Sequence, residues 1–352
     1  MIDTRKLGGL TVSDICLGTM NFGKDTPKPE AMAQMDRAFD AGITFWDTAE
    51  MYPVNPSTAE TYGLTEEIIG EWLASRGRRD RVQIATKASG TNGGHTRGGK
   101  GFEPGNIAEA VDGSLRRLGT DHIDLYQLHW PKRGSYAFRL NWGFDPSRTS
   151  RARVLDHMDG IMTALRDVVA AGKVRAFGLS NETAWGTMSW LAAAERAGGP
   201  RVVSVQNEYG PLHRLYDTDM AEVGHKEDIT LLAYSPLAAG LLTGKYAQGA
   251  IPEGSRAGNE RQRGGKGDLH GRVTPRGLDA AEAWRAMARD LGLDPLHAAI
   301  AFVRQRPFAS IPILGATRPD HLDHLIAGLD LRLNAEALRA IDAFHRAHPL
   351  PF

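Results

Sequence analysis

The sequence predicts an α/β protein: a closed (β/α)8, or TIM, barrel formed by residues 1–352 as a single domain, with inserted loops and one extra C-terminal helix. Three observations carry that prediction. Apolar runs alternate with amphipathic stretches eight times, the rhythm of a parallel sheet covered on its faces by helices. The residues that end these runs are unusually polar and reactive. No run leads into the Gly-x-Gly-x-x-Gly turn of an open dinucleotide-binding sheet, which weighs against the doubly wound alternative.

The strands are expected at 15–19, 44–48, 82–87, 123–129, 174–180, 202–206, 230–235 and 309–314, after a short polar start with a turn at Gly8-Gly9. The helices are expected at 30–41, 64–75, 106–118, 155–171, 183–197, 217–226, 278–291 and 320–328, with a last one at 334–345 that either closes one side of the site or caps the fold. Glycine-rich stretches at 90–101 and 254–271 read as loops. The second carries Arg256, Arg261, Arg263, Lys266 and Arg272, which suits either a mobile lid over an anionic group or a solvated connection. A third insertion, 132–153, holds Tyr136, Phe138, Trp142 and Phe144, so it is expected to pack over something.

Composition narrows the function. With 41% hydrophobic residues the chain can bury a large core, and 42 basic against 42 acidic residues give no general attraction to nucleic acid or to an anionic membrane. The N-terminus lacks the apolar segment of a secretory signal and no run is long enough to span a bilayer, so a cytoplasmic protein is expected. The single cysteine, Cys16, lies between Ile15 and Leu17 and reads as a buried structural thiol.

Chemistry gathers where the strands end, because barrel active sites form at the carboxyl ends of the strands. The second strand ends at Asp47 with Tyr52 in the loop beyond, the third at Lys87 and the fourth at His129. Singly these are a turn acid, a surface phenol, a solvated lysine and a hydrogen-bonding histidine. On successive strands roughly 5 Å apart they meet at one rim. A lysine held charged by a carboxylate is expected to lower the Tyr52 pKa and make the phenol a proton donor, with a neutral imidazole orienting a carbonyl oxygen. No side chain supplies a hydride, so a nicotinamide is implied. Later strand ends offer suitable groups: Ser180 and Asn181, Gln206, then Tyr234, Ser235 and Leu237. Small residues around Gly240 allow close backbone approach to a pyrophosphate, and Thr317-Arg318 opens a helix at a plausible phosphate site.

The ordered segments Leu17-Gly18-Thr19-Met20, Phe45-Trp46-Asp47-Thr48-Ala49-Glu50-Met51-Tyr52, Ala85-Thr86-Lys87, Asp124 to Trp130, Gly178 to Asn181, Gln206 to Tyr209 and Tyr234 to Leu237 resemble the aldo-keto reductase superfamily over nearly the whole chain. The details are most similar to the bacterial Tas-like branch, related to potassium-channel β subunits. The resemblance implies a catalytic tetrad of Asp47, Tyr52, Lys87 and His129, with Tyr52 as general acid, and no metal. It implies cofactor contacts at Ser180, Asn181, Gln206, Tyr234, Ser235, Leu237, Gly240, Thr317 and Arg318. NADP(H) is the expected cofactor, with NAD(H) the alternative. Where that branch has a Gln and then a Glu-Asn pair around the adenosine, this chain has His321, His324 and Leu325. Met20, Met51, Trp130 and Tyr209 are expected to line an apolar pocket for a small carbonyl substrate, although Met20 and Tyr209 also suit packing at the barrel rim.

The leading expectation is therefore an NADPH-dependent reductase of aldehydes or ketones, with no nucleic-acid or membrane partner. The competing class is a cofactor-sensing regulatory subunit with incidental reductase activity. A metal-dependent hydrolase fits less well, since only His129 ends a strand and clustered ligands are missing from the strand ends.

Overall fold

In the computed structural model, which describes residues 2–54 and 57–352, eight parallel strands close into a barrel in sequence order. Ahead of them β1 (Thr4–Leu7) and β2 (Leu10–Ser13) form an antiparallel hairpin, pairing Leu7 with Leu10. Its turn holds Gly8 at φ 56°, where a side chain would be strained and would also meet Val203. The turn is as expected; the two flanking strands are additions, four residues each and too short and mixed in polarity to signal themselves.

The barrel strands are β3 (Cys16–Gly18), β4 (Phe45–Asp47), β5 (Gln83–Ala88), β6 (Ile123–Leu128), β7 (Val174–Ser180), β8 (Val202–Glu208), β9 (Thr230–Tyr234) and β10 (Ser310–Leu314), with β10 paired back to β3. Register places Gly18 beside Asp47, Asp47 beside Ala85, and Lys87 beside Gln127. Side chains alternate between the two faces of each strand. The inward set makes an apolar plug of Cys16, Phe45, Ala85, Leu125, Ala176, Leu232 and Ile311, floored by Leu7 and Val12 of the hairpin. Two residues further along the same faces come Asp47, Lys87 and Gln127, so the polar layer rests on a dry base. Cys16 lies in the plug, where burial pushes its thiol well up and keeps it inert.

Helices cover the outward faces. The first six are α1 (Lys28–Asp40), α2 (Leu64–Arg76), α3 (Ile107–Leu118), α4 (Arg151–Ala170), α5 (Ala184–Ala197) and α6 (Met220–Lys226). In α3, Ile107, Ala110, Val111, Ser114, Leu115 and Leu118 are buried, a helical spacing that sets one face against the barrel. Trp46 of β4 meets Trp72 of α2 edge-on at 4.6 Å, worth about 1 kcal/mol beyond simple burial.

Three helices follow β9: α7 (Arg256–Gln262), α8 (Pro275–Asp290) and α9 (Pro295–Arg304); α10 (Pro319–Ala327) and α11 (Ala335–Ala347) follow β10. Two of these correct the sequence reading. The 254–271 stretch contains α7, capped by Ser255 accepting from the Gly258 N–H. The other, α9, escapes the sequence pattern because Ala298 to Arg304 are all buried, leaving no polar face to reveal a helical period. Its start is nevertheless written in the sequence as Asp294-Pro295, an N-cap followed by proline. Among the described residues no helix is long and apolar enough to cross a membrane.

Candidate active site

At the carboxyl ends of β4 and β5, the Lys87 ammonium donates to Asp47 Oδ2 at 2.7 Å, to the Thr48 carbonyl at 2.7 Å and to the Tyr52 hydroxyl at 3.4 Å. The other oxygen of Asp47 accepts from the Gln127 and Gln206 side-chain amides at 3.1 and 2.8 Å. Both oxygens of this carboxylate are thereby partnered, which is what a buried charge requires. His129, just past β6, presents its imidazole edge-on to the Tyr52 ring with centroids 5.6 Å apart. The four residues predicted from the sequence therefore meet at one rim.

Burial and charge set their protonation. Burial opposes the Lys87 charge, but Asp47 and Tyr52 more than offset it, and the ammonium is held above its ordinary value. Burial and the nearby Lys87 push the His129 imidazole well down, so it is neutral. The expected lowering of the Tyr52 pKa is not found. Burial raises it more than Lys87 lowers it, and the net shift is upward. Tyr52 is a protonated phenol with an ammonium poised beside its oxygen.

These groups open on a cavity of about 740 Å³ that runs past the ends of the later strands to α10. Ser180, Asn181, Gln206, Tyr234, Ser235, Leu237, Gly240 and Thr317 all line it. Asn181 donates to the His129 carbonyl at 2.8 Å and accepts from the Tyr234 hydroxyl at 2.8 Å. Asn181 and Ser235 hold φ of 55° and 54°, strained conformations of the kind that collect at functional sites. Gly240, at φ 93°, leaves the loop backbone bare toward the cavity.

Two assigned residues lie elsewhere. Tyr209 follows Glu208, so alternation turns it away from the cavity; it is fully buried outside the barrel, stacked on Phe302, with its hydroxyl donating to Asp217 at 2.8 Å. Arg318 is exposed and paired with Asp320, two residues on, at 2.5 Å. Met20, Met51 and Trp130 do line the cavity, and Phe138 of the 132–153 insertion joins them, edge-on to Trp130 at 6.5 Å. Not all of that insertion packs as expected, since Trp142 is 89% exposed.

Further site groups were not assigned from the sequence. Buried Glu208 accepts from Arg139 at 2.5 Å and from Arg272 at 2.8 Å. Burial alone would raise its pKa, but Arg272, His213 and Arg139 bring it down to about 2. Arg256 lines the same cavity and forms no ion pair among the described residues; burial and neighbouring Arg272 pull it down to about 10. Lys245 lies nearby on the wall. The cluster of arginines in 254–272 was the available signal, and geometry divides it: Arg256 and Arg272 face the cavity, while Arg263 pairs outside it with Asp25. The C-terminal tail ends against this rim, with Phe352 under the Arg139 guanidinium at 4.7 Å.

Comparison with known proteins agrees with this geometry. The model of the aldo/keto reductase family matches residues 14–346. "Protein tas" of Escherichia coli is 41% identical over 350 residues, covering 97% of this chain and 96% of that protein. "Uncharacterized oxidoreductase YrpG" of Bacillus subtilis is 34% identical, covering 95% and 92%. "Aldo-keto reductase yakc [NADP(+)]" of Schizosaccharomyces pombe is 29% identical, covering 97% and 90%. The chain belongs to the aldo/keto reductase family and is an oxidoreductase of the type that acts on carbonyl compounds.

Proposed function

We propose that the protein reduces aldehydes or ketones with a nicotinamide dinucleotide, and that Tyr52 is the general acid. The observation that carries this reading is a protonated phenol 3.4 Å from a buried ammonium, beside a neutral imidazole, at the mouth of one large cavity. A carbonyl oxygen bound there meets the Tyr52 hydroxyl and His129 together. Tyr52 transfers its proton to that oxygen as negative charge builds on it, and the Lys87 ammonium stabilises the phenolate left behind. Asp47 keeps Lys87 charged and in place through the 2.7 Å contact. Met20, Met51, Trp130 and Phe138 exclude water from the reacting carbonyl.

The remaining cavity fits a dinucleotide. Arg256, a desolvated cation with no carboxylate partner among the described residues, calls for an anion, and Lys245 and the bare backbone at Gly240 face the same space. Asn181, Ser180 and Gln206 suit the carboxamide of a nicotinamide, and Thr317 borders the adenosine end. When bound, the nicotinamide supplies the hydride that no side chain can. NADP(H) is favoured over NAD(H): a relative is named for NADP(+), and Arg318 reaches a 2′-phosphate if it exchanges Asp320 for it.

The test is NADPH consumption against small dicarbonyls, aromatic aldehydes and sugars, with Tyr52→Phe as control. Turnover in the native protein that is nearly lost in the variant is the expected result. Equal turnover in both would sink the assignment of Tyr52. Tight cofactor binding with no turnover on any substrate would favour the regulatory-subunit reading.

A further inference from the structure

We propose that Asp294, His297 and His324 form a binding site for a divalent transition-metal ion of the zinc class. Asp294 caps α9, His297 stands in the first turn of that helix, and His324 comes from α10. Their ligand atoms all lie within 4.8 Å of one another. Asp294 Oδ2 is 3.2 Å from His324 Nε2, and Asp294 Oδ1 is 3.8 Å from His297 Nδ1. An ion held tetrahedrally at about 2.1 Å sets its ligand atoms roughly 3.4 Å apart, which the Oδ2–Nε2 pair already meets, while the 4.8 Å limit on the set leaves some closure to be made. The small closure required falls to His324, whose side chain is 50% exposed and has room to move.

The orientation of His297 points the same way. Its Nε2 lies 2.7 Å from the His324 carbonyl oxygen, a contact that needs the hydrogen on Nε2. The Nδ1 edge of the ring is then turned toward the Asp294 carboxylate, which sets a nitrogen and an oxygen ligand on the same side of the gap. Donation of the outer ring N–H to a carbonyl is how metal-binding histidines are usually fixed. Gly328 holds the ring from the other side. Its φ of −102° is open to any residue, yet a Cβ there would overlap the imidazole, so the glycine serves to make room for His297. Asp294 uses Oδ1 to accept from the Leu296 and His297 amides at 2.8 and 3.0 Å, which leaves Oδ2 for an ion. Two imidazoles with one carboxylate select zinc-like ions over magnesium or calcium. His324 also lines the large cavity, where the chain carries histidines in place of the expected adenosine-binding residues, so the site adjoins that end of the cavity, while Asp294 and His297 lie outside its lining. The proposal therefore stands apart from the reductase reading.

Calorimetric titration of the untagged protein with zinc chloride, in the absence of nucleotide, tests it. One equivalent of Zn²⁺ should bind, Mg²⁺ should not, and His324→Ala should weaken Zn²⁺ binding at least tenfold, on the order seen when metal-site partners are removed. His324→Ala is expected to melt at the native temperature without metal, since the side chain is half-exposed. Co²⁺ should give a tetrahedral visible absorption band that is lost in both His324→Ala and Gly328→Ala. Zn²⁺ affinity unchanged in His324→Ala, or no binding to the native protein, would overturn the site.

Discussion

Replacing Asp47 by asparagine exchanges one oxygen for an NH2 group and removes the charge that holds Lys87. The Asp47 Oδ2 atom faces the Lys87 ammonium at 2.7 Å, and Oδ1 faces the Gln127 and Gln206 amide donors at 3.1 and 2.8 Å. Whichever way the substituted amide turns, its NH2 group therefore meets a donor. Lys87 is fully buried and would retain only neutral partners, the Thr48 carbonyl and the Tyr52 hydroxyl, joined in one orientation by the asparagine oxygen. Breaking a buried ion pair from one side costs about 3–5 kcal/mol, because an uncompensated charge stays in the interior. The pH dependence has a definite sign. The Lys87 pKa is raised on folding, so its contribution is complete below the unfolded value of about 10.5 and is lost as the pH rises through the folded value. Urea unfolding of Asp47→Asn followed by tryptophan fluorescence should show the full deficit at pH 7 and a narrowing gap to the native protein above about pH 10.5. A deficit under about 1 kcal/mol at pH 7, the range of surface pairs, would refute the argument.

Other perturbations probe the cavity. Burial raises the Glu208 pKa, but its arginine and histidine neighbours bring it to about 2 from 4.5, so it contributes roughly 3 kcal/mol that is present above pH 4.5 and lost as the pH falls toward 2. Acid unfolding of Glu208→Gln should lack that step, read by circular dichroism. Arg256→Ala should weaken NADPH binding by roughly ten- to a hundredfold in fluorescence titration, the value of a charge-assisted contact, without lowering the melting temperature of the free protein. Arg318→Ala should shift the NADPH/NADH preference toward NADH in paired KM measurements; an unchanged ratio removes Arg318 from the 2′-phosphate role.

The eight barrel strands were legible because each is a short apolar run, and several of these runs stop at polar residues, Asp47, Lys87 and His129 among them. Their meeting followed from strand order alone. Tyr209 was misplaced because the alternation after Gln206 was not followed; Glu208 takes the inward position and Tyr209 the outward one. The Tyr52 pKa was misjudged for another reason: the sequence shows the neighbouring lysine, but the burial that outweighs it depends on packing from several elements. The pairing of Arg318 with Asp320, two residues further on, is a local contact that strand order does not reveal. Buried α9 shows the general limit, since a helix without a polar face leaves no period to read.

The central claim is that Tyr52 delivers the proton. Stopped-flow single turnover at saturating NADPH, on the best substrate of the panel, separates that step from binding and release. The account predicts that Tyr52→Phe binds NADPH as the native protein does and that its rate of NADPH oxidation falls by on the order of 10² to 10⁴, the range for loss of a positioned general acid. A single-turnover rate within a few fold of native, with binding unchanged, would contradict it.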